Sequence, residues 1–164
     1  MSGLALFTIF HTLISIAAMF VGLFLLYGFL QRQRMPRLTL WALGLLAATT
    51  ITGFLFPIHG FTPALGTGIV STVLLILAFA ARYRFAMAGV WRSLYVVSAV
   101  VALYLDWFVA VVQAFVKVPL LHGLAPTGSE PPFVAAQAVV LLAFVIAGYF
   151  SVRRFRFGLM ASGI

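Results

Sequence analysis

Five apolar runs divide this chain, at about residues 4–30, 38–58, 65–81, 93–118 and 133–152. A helix needs about 20 consecutive apolar residues to cross the hydrocarbon of a bilayer, and each run is near or above that length, the third being the shortest. Inside lipid every backbone N–H and C=O must be paired within the protein, so only helices and closed barrels span it. A barrel requires alternating polar and apolar residues along each strand, and these runs show no alternation. The expected fold is therefore all-α: a polytopic bundle of five transmembrane helices forming a single integral membrane domain over residues 1–164. Composition agrees, since 65% of the residues are hydrophobic and only 7% charged. A water-soluble domain is nearer half apolar and a quarter charged. No basic segment precedes the first run, and that run is too long for a signal-peptide core, so a cleaved leader is not expected.

The connections fix an orientation. Arg32, Arg34 and Arg37 lie in the first, Arg82, Arg84 and Arg92 in the third, and Arg153, Arg154 and Arg156 in the tail. With an odd number of spans these three stretches share one side. The positive-inside rule makes that side cytoplasmic and puts the N-terminus outside. Lys117 is the one basic residue that departs from the pattern. Tyr27, Trp41, Tyr83 and Trp91 fall near the same ends, as interfacial aromatics do. The net charge of +8 is thus read as topology, and nucleic acid is not an expected partner. The longest connection, 119–132, closes on prolines that suit a helix start. Thr62 followed by Pro63 reads as an N-cap and first-turn proline. The expected location is a bacterial inner (cytoplasmic) membrane, crossed several times.

One run carries groups that oil disfavours. At 100° per residue, Asp106, Gln113 and Lys117 fall within about 40° of one another on the fourth helix. The same face continues through Ala110, Ala102, Ala99 and Tyr95, while the remaining faces are mainly Val, Leu and Phe. Small and polar residues on one face mark the side turned toward other helices. Asp106 lies near mid-span, where an ionised carboxylate is costly unless paired, hydrated or hydrogen-bonded. The structural alternative is a neutral acid donating a hydrogen bond to a threonine of the second span. Lys117 is near enough to its helix end to snorkel into the interface.

Related stripes occur elsewhere. His11 and Ser15 share one with Ala18 and Gly22; Thr52 shares one with Gly44 and Ala48, with Thr49 beside it; Gln137 lies near the outer end of the fifth run. Asp106, Gln113, Lys117, His11, Ser15, Thr49, Thr52 and Gln137 are accordingly the candidate lining of a ligand or ion pathway. Most of them lie toward the outer half, so the site is expected to open outward with Asp106 at its floor. No HxxxH, HExxH or similar spacing points to a metal site. The chain has no cysteine, which excludes thiolate ligands and thiol nucleophiles. No cofactor is expected; haem at His11, with His59 as a second imidazole, is the alternative, but the two differ in depth.

In size and span count the chain resembles the tryptophan-rich sensory/translocator family, whose members bind porphyrins and sterols. With three tryptophans it lacks that family's tryptophan-rich segments, and no residue assignment follows. The reading from the residues is a small inner-membrane protein that binds a small amphipathic ligand or passes protons or small ions, with no catalytic grouping. The alternatives are a structural or accessory subunit of a larger membrane complex and a haem- or quinone-associated redox protein. The bilayer is the expected partner, with a homo-oligomer or complex subunits beside it.

Overall fold

Proline opens four of the six helices. The computed structural model describes residues 2–57, 60 and 62–160, with side chains as far as Phe155; His59 lies outside the described residues. The elements are α1 (Gly3–Leu30), α2 (Pro36–Phe54), α3 (Pro63–Phe79), α4 (Val90–Lys117), α5 (Pro119–Leu124) and α6 (Pro131–Met160). Proline at a first turn loses nothing, because that N–H has no intrahelical acceptor and the ring presets φ. Ser2 and Thr62 cap α1 and α3 by accepting the backbone N–H of Ala5 and Leu65. All helices except α5 are long and apolar enough to cross a membrane, so the five-span all-helical bundle is the observed fold.

Three details differ from the expectation. The 119–132 connection contains α5, a single short helix whose six residues are too few for a periodic signal. The second span ends at Phe54, where Leu55 turns back on Thr52. The expected tail arginines Arg153 and Arg154 ride instead on the last turns of α6. Arginine is a good helix former, and each finds a local partner. Arg153 donates to the Tyr149 hydroxyl at 2.7 Å, one turn back, and Arg154 to the Leu30 carbonyl at 3.4 Å.

Neighbours in space follow chain order. α1 packs on α2, α2 on α3, α3 on α4 and α4 on α6, and α6 returns to α1. Cross-helix pairs give the register. Phe29 meets Tyr95 and Gly22 meets Leu103, so α1 and α4 are antiparallel. Gly148 meets Val100, Phe144 meets Tyr104 and Phe133 meets Phe115, so α4 and α6 are too. His11 is bonded to Thr52 and Gly28 lies against Met35, so α1 and α2 are antiparallel as well. It follows that α2 and α4 run in the same direction. The arginines of the first and third connections and of α6 therefore gather at one end, which we call the arginine-rich end.

The core is not centred. Its buried residues are Ala18 to Phe29 on α1, Ala42 to Leu46 on α2, Leu75 to Ala81 on and just past α3, Tyr95 to Leu103 on α4, and Phe144 and Phe155 on α6. All of these lie in the arginine-rich half. In the other half of α4, beyond Leu103, Phe115 is the one fully buried residue.

Candidate functional site

The face of α4 predicted to be polar changes character along its length. Tyr95, Ala99 and Ala102 are fully buried, Asp106 and Ala110 are half-buried, and Gln113 and Lys117 are exposed. The stripe thus emerges from the core at Asp106 and opens toward the end away from the arginines. Tyr95 is 1% exposed and donates its hydroxyl proton to Thr39 Oγ1 at 3.2 Å, so the arginine-rich half contains its own polar link from α4 to α2. The hydrogen bond from Asp106 to a threonine of α2, the structural alternative, is not made, and Asp106 Oδ2 has no partner among the described residues.

That link supplies a ruler. Thr49 is ten residues beyond Thr39 and Asp106 eleven beyond Tyr95, on helices that run in the same direction. At 1.5 Å per residue both sit roughly 15–17 Å further along the bundle, at one level. Gln137 reaches this level from α6, its Nε2 donating to the Phe108 carbonyl at 3.2 Å. Six buried side-chain polar atoms have no hydrogen-bond partner among the described residues, and four of them are here: Thr49 Oγ1, Asp106 Oδ2, Trp107 Nε1 and Gln137 Oε1. Buried polar groups are nearly always paired, because an unpaired one forfeits its hydration with nothing in return. A layer of orphans where the packed core stops is therefore the exceptional feature of the interior. Three of the four were legible as candidates. Trp107 was not, since a tryptophan beside lipid-facing residues reads as packing; only the burial of its indole N–H singles it out.

Further from the arginines lies a second polar group. His11 Nδ1 is 2.8 Å from Thr52 Oγ1. That hydroxyl has one proton, and it lies 2.7 Å from the Ala48 carbonyl, an acceptor only. The Thr52 oxygen must then accept from His11, so Nδ1 carries the proton and Nε2 is left as the free nitrogen. Phe56 closes on the imidazole edge-on at 5.1 Å, and Phe7 packs on Phe56 in turn, its ring tilted by 52°. Ser15 donates back to the His11 carbonyl, a local helix contact. Lys117 ends α4 within electrostatic range of His11. The structure therefore brings Asp106, Thr49 and Gln137 to one level and pairs His11 with Thr52 nearer the opening, while Lys117, eleven residues beyond Asp106, lies further out at the end of α4. Gln113 lies on the exposed face between Asp106 and Lys117. No group of three or more His, Cys, Asp or Glu side chains able to hold a metal ion occurs among the described residues.

Compared with family models, curated proteins and solved structures, the chain matches none.

Proposed function

We propose that this integral membrane protein binds a small amphipathic ligand in an intramembrane cleft that opens away from the arginine-rich end, with Asp106 at its floor. The observation that carries this reading is the layer of four unpartnered polar atoms at the level where the packed core ends. A guest with both donor and acceptor groups would satisfy them. The Thr49 and Trp107 groups can donate, and the Gln137 oxygen accepts. The apolar residues around them suit a hydrocarbon body.

Conduction is the weaker reading. Between Asp106 and the arginine-rich end the same face of α4 presents Ala102 and Ala99, both 3% exposed, before the next hydroxyl at Tyr95. A path for ions requires polar groups through the whole thickness. By the positive-inside rule the cleft faces the outside of the cell, in a bacterial inner membrane.

The test uses a single thiol at the floor, D106C, in a chain without native cysteine. A small membrane-impermeant maleimide is expected to label it from the side opposite the arginines. Labelling only from the arginine side, or none even after the bundle is loosened by mild detergent, counts against the cleft. In proteoliposomes, wild type is expected to carry no proton or potassium flux above the D106N level; a flux lost in D106N would favour a pathway instead.

A second reading rests on Gln113, an exposed amide on a membrane helix. An amide facing acyl chains is costly, and a neighbouring chain would pair it. Gentle solubilisation and crosslinking through Q113C separates the two readings, since a monomer with no crosslinked product leaves only the cleft.

A further inference from the structure

The arginine-rich end has no acidic side chain to balance it. The sequence holds two carboxylate side chains in all. Asp106 is in the membrane interior and Glu130 lies in the connection at the opposite end. No acidic side chain of this protein is therefore placed to balance the arginines of the first and third connections.

Two of them are drawn together. α1 ends with Gln33 N–H donating to the Gly28 carbonyl and Arg32 N–H to the Phe29 carbonyl, with Arg32 at φ 62° in the left-handed position that usually holds glycine. This close turn sends Arg34 back over the bundle. At the end of α3 the helix widens into a π-turn over Ala80–Arg84, and Met87 N–H returns to the Ala81 carbonyl. Arg82 is thereby half-buried, within electrostatic range of the Tyr95 hydroxyl. Arg34, exposed, and Arg82, half-buried, line one small cavity together with Gln33, Met35 and Met87; the buried Thr39 and Tyr95 are its polar floor. The enclosed volume is about 10 Å³, room for about one water. A ligand therefore sits on the rim and not inside.

We propose that Arg34 and Arg82 bind the phosphodiester of an anionic membrane lipid, whose glycerol and first methylenes rest on the adjacent methionines. A phosphate accepts bidentate hydrogen bonds from a guanidinium, and a basic cleft between helices at the headgroup level is where such a lipid is available. The site is separate from the Asp106 layer and stands whether or not that layer binds anything.

The probe is phosphatidylglycerol in nanodiscs of otherwise zwitterionic lipid. Retained lipid is counted by native mass spectrometry, and the thermal unfolding midpoint is followed in parallel. R34Q/R82Q loses the charge-assisted hydrogen bonds to the phosphodiester itself and is expected to bind roughly 25-fold more weakly. R37Q/R153Q removes the same charge from exposed arginines that do not line the cavity and is expected to change binding less than fivefold. Equal loss in the two variants overturns the site and leaves only a diffuse positive surface. Wild-type protein in zwitterionic lipid gives a readout that needs no variant: phosphatidylglycerol raises its midpoint, and the same concentration of inorganic phosphate does not. Equal shifts from both overturn the lipid as the source.

Discussion

A methyl group of Leu103 on α4 occupies the space that a side chain at Gly22 on α1 would fill. The contact lies at the last layer of the packed core before the polar level begins. Overfilling a packed site typically costs about 1–3 kcal/mol. Gly22→Val is expected to destabilise the bundle by about that amount, and adding Leu103→Ala is expected to recover a measurable part of it. Unfolding of the four members of this cycle in mixed micelles gives the coupling; strict additivity would mean the contact is not what holds α1 on α4.

Asp106 forfeits stability where it stands. A buried polar atom without a partner costs roughly 1–3 kcal/mol. Asp106→Leu should therefore raise the unfolding midpoint of the ligand-free protein, while Asp106→Asn leaves it nearly unchanged. A destabilised leucine variant would mean that the carboxyl makes a bond in the membrane that the fold does not reveal.

The His11–Thr52 bond has a defined direction. Interhelical side-chain hydrogen bonds in membranes average about 0.6 kcal/mol and reach about 1.7. Thr52→Val should cost an amount in that range. Ring-nitrogen chemical shifts of His11 should place the neutral-form proton on Nδ1 in wild type; a proton on Nε2 would reverse the assignment.

Away from the membrane, Glu130 holds the turn that launches α6. Its carboxylate accepts the backbone N–H groups of Thr127 and Ser129, each at 3.0 Å. Those bonds, the one from Thr127 first, lower its pKa from the ordinary 4.5 to about 2. A depressed carboxylate contributes order that is complete above the ordinary value and lost as pH falls through the depressed one. Amide exchange at Thr127 and Ser129 should be flat from pH 7 to about 5 after correction for intrinsic rates. Protection should fall progressively below that, and Glu130→Gln should abolish the dependence.

The gradient along α4 predicts accessibility. Introduced singly, A99C should resist a membrane-impermeant maleimide, and Q113C and K117C should react from the side opposite the arginines. Reaction of A99C at the rate of Q113C would mean the core does not close below Asp106.

The architecture was legible because lipid leaves so few choices. Helix length, the prolines at 63 and 131, and the cluster of arginines reflect what a bilayer tolerates. The polar level was legible through Asp106, because an acid at mid-span has to be accommodated. What escaped was tertiary. Tyr95 looks like an ordinary stripe member and nothing in the sequence singles out Thr39; only their register across α2 and α4 makes them partners. Gln113 shares the face of Asp106 within tens of degrees, yet it is exposed, because periodicity reports direction and not whether a neighbour is present at that height. The descent of α6 through Arg153 and Arg154 was hidden because hydropathy ends where the lipid does, whereas the helix does not.

The π-turn after α3 has a consequence for how this chain tolerates insertions and deletions. A wider turn accommodates one residue more than the α-turn it replaces. Deleting Ala80 or Ala81 would restore regular winding and turn Arg82 by up to about 100°, while the connection beyond keeps its direction. The chain would still cross the membrane five times, but its guanidinium at 82 would face another neighbour. A frame-preserving loss of one codon there should be silent for insertion and visible in the lipids that copurify.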